Sequence, residues 1–416
     1  MGCVAFKGRK IVSSFLTDFR VICARFASLD AGAALYYVAF TVWMAASLLY
    51  SSGYAGAMGE TAYKAIRYLT YFLLLGSELL RGRYDWRTAC FLTGAWMVLV
   101  GIVNAWQPIW VDYVLFVFCA RGIGFKRLAR ISLVVMSLVV AFIVISSLVG
   151  LIPNYTSADE NNRIRCFMGF RYALYLPQYL FTITGLALYL DGTQINLRHL
   201  AILLCANVAA FLLTDLRLSF WLAMALMGAY VVLCLVVGRL AEPKGMALAV
   251  AKLLPYSVCF FAVVGIGLTL AYTPSIRWME AANSVLGNRL SLGQAAFDLY
   301  PPTLFGQRID FVGNGLDLSG AQSQTTNTFY VDCLYLKLLL QIGVVPSIIL
   351  LGAATCLMRR MVRERQWVLL LVFTFIAAHC VVDDLSLNLN YNTFLLALSS
   401  LALPLGMSPR TDESLR

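Results

Sequence analysis

Residues 275–335 read SIRWMEAANSVLGNRLSLGQAAFDLYPPTLFGQRIDFVGNGLDLSGAQSQTTNTFYVDCLY. This is the longest polar interruption in the chain. It carries Arg289, Arg308, several glycines, the Pro301-Pro302 pair and many amides. A long apolar segment precedes it, roughly 250–272, and it leads into another, roughly 329–353. The contrast between these segments and the polar stretch decides the fold class.

Of 416 residues, 61% are hydrophobic and 13% charged, with a mean hydropathy of +0.78. Soluble domains carry about 25% charged residues. Runs of about 20 apolar residues, long enough to cross a bilayer, recur along the whole length. In lipid each backbone donor needs an internal partner, so these runs must be helical. The alternation of a membrane barrel is absent. The expected fold is all-α: one polytopic membrane helical bundle over residues 1–416. Candidate spans lie near 32–51, 62–80, 88–104, 107–120, 130–151, 172–190, 199–214, 217–237, 250–272, 329–353, 366–382 and 390–407, about twelve transmembrane helices. A first outer loop is expected at 152–171, and a large, partly helical one at 273–328, between the ninth and tenth helices.

The charges support this topology. With both termini cytoplasmic, the inner segments hold 22 of the 32 Lys and Arg, as the positive-inside bias requires. The net charge of +11 then reflects topology and points to no nucleic-acid partner. The other ten are Lys64, Arg67, Arg163, Arg165, Arg171, Arg217, Arg277, Arg289, Arg308 and Lys337. They run against the bias and need another reason. The 11 cysteines are scattered without a CxxC pair, so they read as small buried hydrophobes rather than a disulfide or zinc framework. The N-terminal stretch lacks a continuous apolar h-region and a cleavage site, so no cleaved signal peptide is expected.

Five stretches carry candidate chemistry. Arg163, Arg165 and Arg171, followed by Tyr172, form an anion site in sequence, because guanidinium forks match phosphate oxygens; the bland alternative is interfacial anchoring. Asp215 and Arg217 sit in a tight hairpin, either as a local pair or with Arg217 turned inward. Arg289 opens an amphipathic-looking segment to Tyr300, and Phe305-Gly306-Gln307-Arg308 follows the prolines. Amides, tyrosines and acids of this kind hydrogen-bond and stack on sugars. Asp332, Tyr335 and Lys337 lie where the loop meets the next span; an Asp332–Lys337 pair is the structural alternative. His379, with Asp383 and Asp384, closes the eleventh span and is a candidate general base. No HExxH, P-loop, GxSxG or GxGxxG is present, so metal, ATP and NAD chemistry have no support, and no cofactor is expected.

Taken in this order, these pieces resemble the Wzy-type surface polysaccharide polymerases, in the O-antigen ligase/polymerase superfamily, and most of all the Gram-positive capsule and exopolysaccharide branch. The carriers are Arg165-Cys-Phe-Met-Gly169-Phe170, Thr214-Asp215-Leu216-Arg217, Asn288-Arg289-Leu290-Ser291-Leu292, Phe305-Gly306-Gln307 and Val331-Asp332-Cys333-Leu334-Tyr335. Ala173-Leu174 replaces the family's Pro-Asn, and Cys333 stands where Asn is usual. The resemblance implies a membrane glycosyltransferase that polymerises undecaprenyl-pyrophosphate-linked oligosaccharides at the outer face of the bacterial cytoplasmic membrane. Membrane lipids, and flippase and chain-length regulator proteins, are the implied partners. Arg165, Arg217 and Arg289 are assigned to the donor pyrophosphate, with Arg163, Arg171 and Arg308 behind them. Tyr172, Gln307 and Tyr335 are assigned to substrate. Asp215, Asp332 or His379 would accept the hydroxyl proton. The competing classes are a lipid-linked oligosaccharide flippase or transporter and a ligase-type glycan transferase.

Overall fold

The computed structural model describes residues 30–403, except 83, 159–163, 241–244, 314, 319 and 322–328. Both termini, to which the charge pattern assigns a cytoplasmic side, lie outside the described residues. The elements run α1 (Ala31–Tyr50), α2 (Ala55–Arg81), α3 (Trp86–Asn104), α4 (Pro108–Cys119), α5 (Phe125–Leu148), β1 (Thr156–Ala158), β2 (Ile164–Cys166), α6 (Tyr175–Asp191), α7 (Leu197–Thr214), α8 (Arg217–Leu240), α9 (Met246–Leu253) and α10 (Ser257–Leu270). Then follow α11 (Arg277–Val285), α12 (Arg289–Leu299), α13 (Leu334–Gln341), α14 (Val344–Arg363), α15 (Trp367–His379) and two 3-10 helices, Leu385–Leu387 and Thr393–Ala402. Among the described residues, seven helices are long and apolar enough to cross a membrane by length and composition: α1, α3, α5, α7, α8, the α9–α10 pair and α14. The chain is therefore mostly helical and membrane-like. Large apolar side chains such as Phe72, Leu79, Leu138, Leu212 and Val263 stay exposed on helix faces, as lipid-facing positions do.

Local chemistry starts the helices. Asp85 accepts from the Thr88 N–H at 2.8 Å and Asn196 from the His199 N–H at 3.2 Å, satisfying first-turn donors. Pro108 opens α4, where its missing N–H costs nothing. The core is aromatic-rich around Tyr36, Phe40, Trp43 and Phe116, all buried where α1 meets α4. Arg67, one of the ten off-pattern cations, is accounted for here. It donates to Asp112 at 2.7 Å, and Asp112 also accepts from Trp43 Nε1 at 2.9 Å and from the Tyr71 hydroxyl.

Two expectations change, and one expected loop gains structure. The segment expected as one span over 329–353 starts its helix only at Leu334 and breaks at Ile342-Gly343, and α14 continues to Arg363 through residues expected as a loop. The last span is, within the described residues, a 3-10 helix. Within the expected outer loop 152–171, β1 and β2 pair antiparallel, with Ser157 opposite Arg165.

The break before α14 has a clear cause. Residues 301–309 cross it as a strap. Thr303 O and Leu304 O accept from the Val344 and Val345 N–H groups at 2.9 and 3.0 Å, donors that a helix start leaves without partners. Gln307 N donates to Gln341 O at 2.9 Å, and Asn104 Nδ2 holds Phe305 O at 2.8 Å. Gly306 (φ +85°) and Gly343 (φ +95°) allow the approach: a Cβ on Gly306 would sit 2.4 Å from Gln341 O, and one on Gly343 2.3 Å from Gly306 N. Gly306→Ala and Gly343→Ala should each destabilise the protein by about 1–3 kcal/mol, read as a lower melting temperature by tryptophan fluorescence in detergent. Gly352→Ala, on α14 with nothing within 4 Å, is the control expected to melt with or above the parent.

Candidate functional site

Charged side chains gather where four chain segments meet. Arg289 heads α12, and its place is fixed by the corner with α11. The buried Asn283 side chain accepts from the Leu290 and Ser291 N–H groups at 3.1 and 3.2 Å, capping α12 from outside. From there Arg289 Nε reaches Asp332 Oδ2 at 2.5 Å, with both side chains largely buried. Asp332 lies in the extended segment before α13, which Leu334 N ties to Cys380 O at 2.9 Å. Lys337, one turn into α13, pairs with Asp384 beyond α15. The Asp332–Lys337 pair considered from sequence is thus replaced by Arg289–Asp332 and Lys337–Asp384, because the two faces of the α13 start meet different segments. Tyr172, just ahead of α6, is half-buried in the field of Asp332 and Arg289.

Electrostatics distinguish the three acids. Burial acts to lower the Arg289 pKa, and Asp332 outweighs it, so the net direction is up. Burial raises the Asp332 pKa, and Arg289 offsets only part of that. The two directions pull against each other within one pair. We read the pair as ionised, because a guanidinium stays charged at any accessible pH and the 2.5 Å contact is charge-assisted. Asp383 differs. Burial, and next the charge of Asp384, push its carboxyl up to about 8. It makes no ion pair among the described residues and accepts one backbone bond, from Leu385 N at 2.7 Å.

Arg171 borders this group through Tyr175, which feels Arg171, Asp384 and Lys337 together. Its backbone is pinned on both sides, N–H to Ser51 O at 3.1 Å and carbonyl from Leu316 N at 2.9 Å. Its guanidinium lies 5.3 Å over the Tyr50 ring, and its buried Nε has no acceptor among the described residues.

Of the remaining candidates His379 lies within the field of Arg289, and the others fall elsewhere. Arg163 lies outside the described residues. Arg165 is half-buried on β2, which packs against α7. Asp215 (φ +47°) ends α7, and Arg217 opens α8 with its side chain 62% exposed and Nε 3.7 Å from Asp215, so it does not turn inward. Arg308 is exposed, paired with Asp310 at 3.1 Å and laid over Trp106. Gln307 spends its amide on Pro301 O at 2.8 Å, within the strap. Tyr335 is buried and donates to Ala377 O at 2.8 Å. His379 is 1% exposed, against Phe181. The Gln178 amide nitrogen lies 3.2 Å from its Nε2, and its buried Nδ1 has no partner among the described residues. These geometries make Gln307, Tyr335 and His379 framework residues. Lys337, Asp383 and Asp384 were named from sequence only beside Asp332 and His379, with no role of their own; the signal available was two adjacent acids directly after an apolar helix.

Compared with protein-family models, curated proteins and solved structures, the chain matches none. Fold and site together define a helical bundle of membrane-like composition with a buried, multi-segment charge cluster at its helix ends.

The raised Asp383 pKa predicts how stability follows pH. A carboxyl held protonated by the fold adds stability that is full below its ordinary value, near ~4, and lost as pH rises through about 8. The melting temperature should fall across that window. Asp383→Asn, neutral at every pH, should flatten the curve and melt above the parent at the alkaline end.

Proposed function

We propose that this chain is a membrane glycosyltransferase that polymerises undecaprenyl-pyrophosphate-linked oligosaccharide repeat units into a surface polysaccharide. The observation that carries the reading is the charge cluster: fixed, half-buried cations on helix ends beside a guanidinium nitrogen without an acceptor among the described residues. An anionic head group on a lipid is the ligand such a place suits, since the lipid brings the charge to the membrane and the arginines meet it. The motif order from Arg165 to Tyr335 adds the resemblance to the polymerases.

The reaction needs no nucleotide sugar, because the sugar–pyrophosphate bond is already activated. Its cleavage builds negative charge on the leaving group. Donors fixed beforehand and aimed at that charge stabilise the transition state more than the ground state. In this reading Arg289 and Arg171 serve the pyrophosphate, with Arg165 on the neighbouring hairpin. Arg217, exposed at the end of α8, serves it from the rim. Tyr172 and Asp332 face the sugars. The shorter helices complete about twelve spans, both termini are cytoplasmic, and the site opens at the outer face of a bacterial cytoplasmic membrane. A flippase and a chain-length regulator are the expected protein partners.

Purified protein in liposomes, given a defined polyprenyl-pyrophosphate-linked repeat unit, should produce a ladder of polymers. Arg289→Ala and Arg171→Ala should each slow it by about 10²–10³-fold, leaving single repeats on lipid. Full-length ladders at the parental rate from both variants would refute the assignment. Repeat units that cross the bilayer without joining would favour the flippase instead.

A further inference from the structure

The proposed transfer needs a group to take the acceptor hydroxyl's proton. We propose that Asp383 is that group, and that Asp332 and His379 are not. This rests on the polymerase reading and deepens it.

The argument is one of elimination within the cluster. Three carboxylates face two cations. Asp332 is committed to Arg289 at 2.5 Å, and Asp384 to Lys337. A carboxylate held by a guanidinium or an ammonium is a weak base, since taking a proton would break the pair. His379 has its Nε2 engaged by the Gln178 amide nitrogen at 3.2 Å; burial does not separate it from Asp383, which is 4% exposed. Asp383 alone among the three acids has no cation partner among the described residues. The groups acting on it are Asp384 and the Cys380 thiol from its own segment, Asp332 from the segment before α13, and Arg289 from α12. Lys337 of α13 acts through Asp384, and Tyr172 ahead of α6 shares the field of Asp384 and Asp332. Two negative neighbours and one positive one leave Asp383 with a proton affinity suited to general-base work near neutrality.

The step balances without a co-reactant. The acceptor hydroxyl oxygen bonds to the anomeric carbon of the growing chain. The bond from that carbon to the pyrophosphate oxygen breaks, and its electron pair leaves with the pyrophosphate. The hydroxyl proton moves to the Asp383 carboxylate. The proton also offsets charge: it removes one negative charge from the cluster as another develops on the leaving group.

The test uses full-length protein in liposomes with the defined lipid-pyrophosphate repeat unit, as parent, Asp383→Asn and Asp383→Glu. Parental single-turnover rates should climb about tenfold per pH unit up to a plateau, because the base acts deprotonated. Asp383→Asn should lose about 10²–10⁴-fold together with the climb, while Asp383→Glu keeps the climb at a reduced rate. Infrared spectra without substrate should show a protonated-carboxyl band at neutral pH that Asp383→Asn removes. An Asp383→Asn variant that polymerises within about threefold of the parent, with the same climb, overturns this inference and leaves the polymerase reading standing. If Asp383→Asn does not fold, the Asp383→Glu profile decides, and a flat profile there overturns the inference. A parent that makes no ladder overturns the polymerase reading, and this inference with it.

Discussion

In a bundle this apolar, a charge persists only where another charge answers it. Leaving one partner of a buried pair alone costs about 3–5 kcal/mol. Asp112 shows the constraint fully met: Arg67, Trp43 and Tyr71 converge on one carboxylate and tie α1 and α2 to α4. Glu78–Arg121 and Arg360–Glu364 do the same elsewhere. The cluster around Arg289 obeys the rule with a remainder. Asp332 and Asp384 are answered, Asp383 meets the rule by keeping its proton, and Arg171 has no opposite charge bound directly to it among the described residues. The proposed transfer, which must bind an anion and move a proton, has a use for such a remainder.

The same need governs the backbone. The α13–α14 break would leave amide groups open inside apolar surroundings, where each costs several kcal/mol. The strap supplies Thr303 and Leu304 carbonyls to that gap, and the Gln341 side chain returns a donor to Ile309 O at 3.1 Å. Unsupported, α13 could not end where it does, and Lys337 would not point at Asp384. The Phe305-Gly306-Gln307 stretch that looked like a sugar contact in sequence is thus a brace one step removed from the charges.

Helix positions were legible because lipid imposes a length and a composition, which the expected boundaries of α1, α3, α7 and α8 met within a few residues. Arg289 and Asp332 were legible too, as charges where the topology disfavours them. Their mutual contact was not. It depends on the α11–α12 corner held by Asn283, a long-range geometry with no periodic signature. The break at Gly343 was hidden because the residues around it are apolar, and hydropathy does not register a satisfied kink. Arg217 misled for the opposite reason: a hairpin too short to turn its side chain inward leaves it beside Asp215.

Arg289 and Arg171 answer different demands for the proposed transfer. An arginine already bonded to Asp332 through Nε offers its remaining N–H groups in a fixed direction but little net charge. Such a group binds a ground-state pyrophosphate weakly and still meets the charge that grows as the bond breaks. Preorganised donors of this kind lower the barrier without deepening the substrate well. Arg171, stacked on Tyr50 and without a carboxylate partner among the described residues, keeps its full charge for holding the head group. One cation captures and the other discriminates, and Asp332 makes the difference by being Arg289's neighbour and not Arg171's.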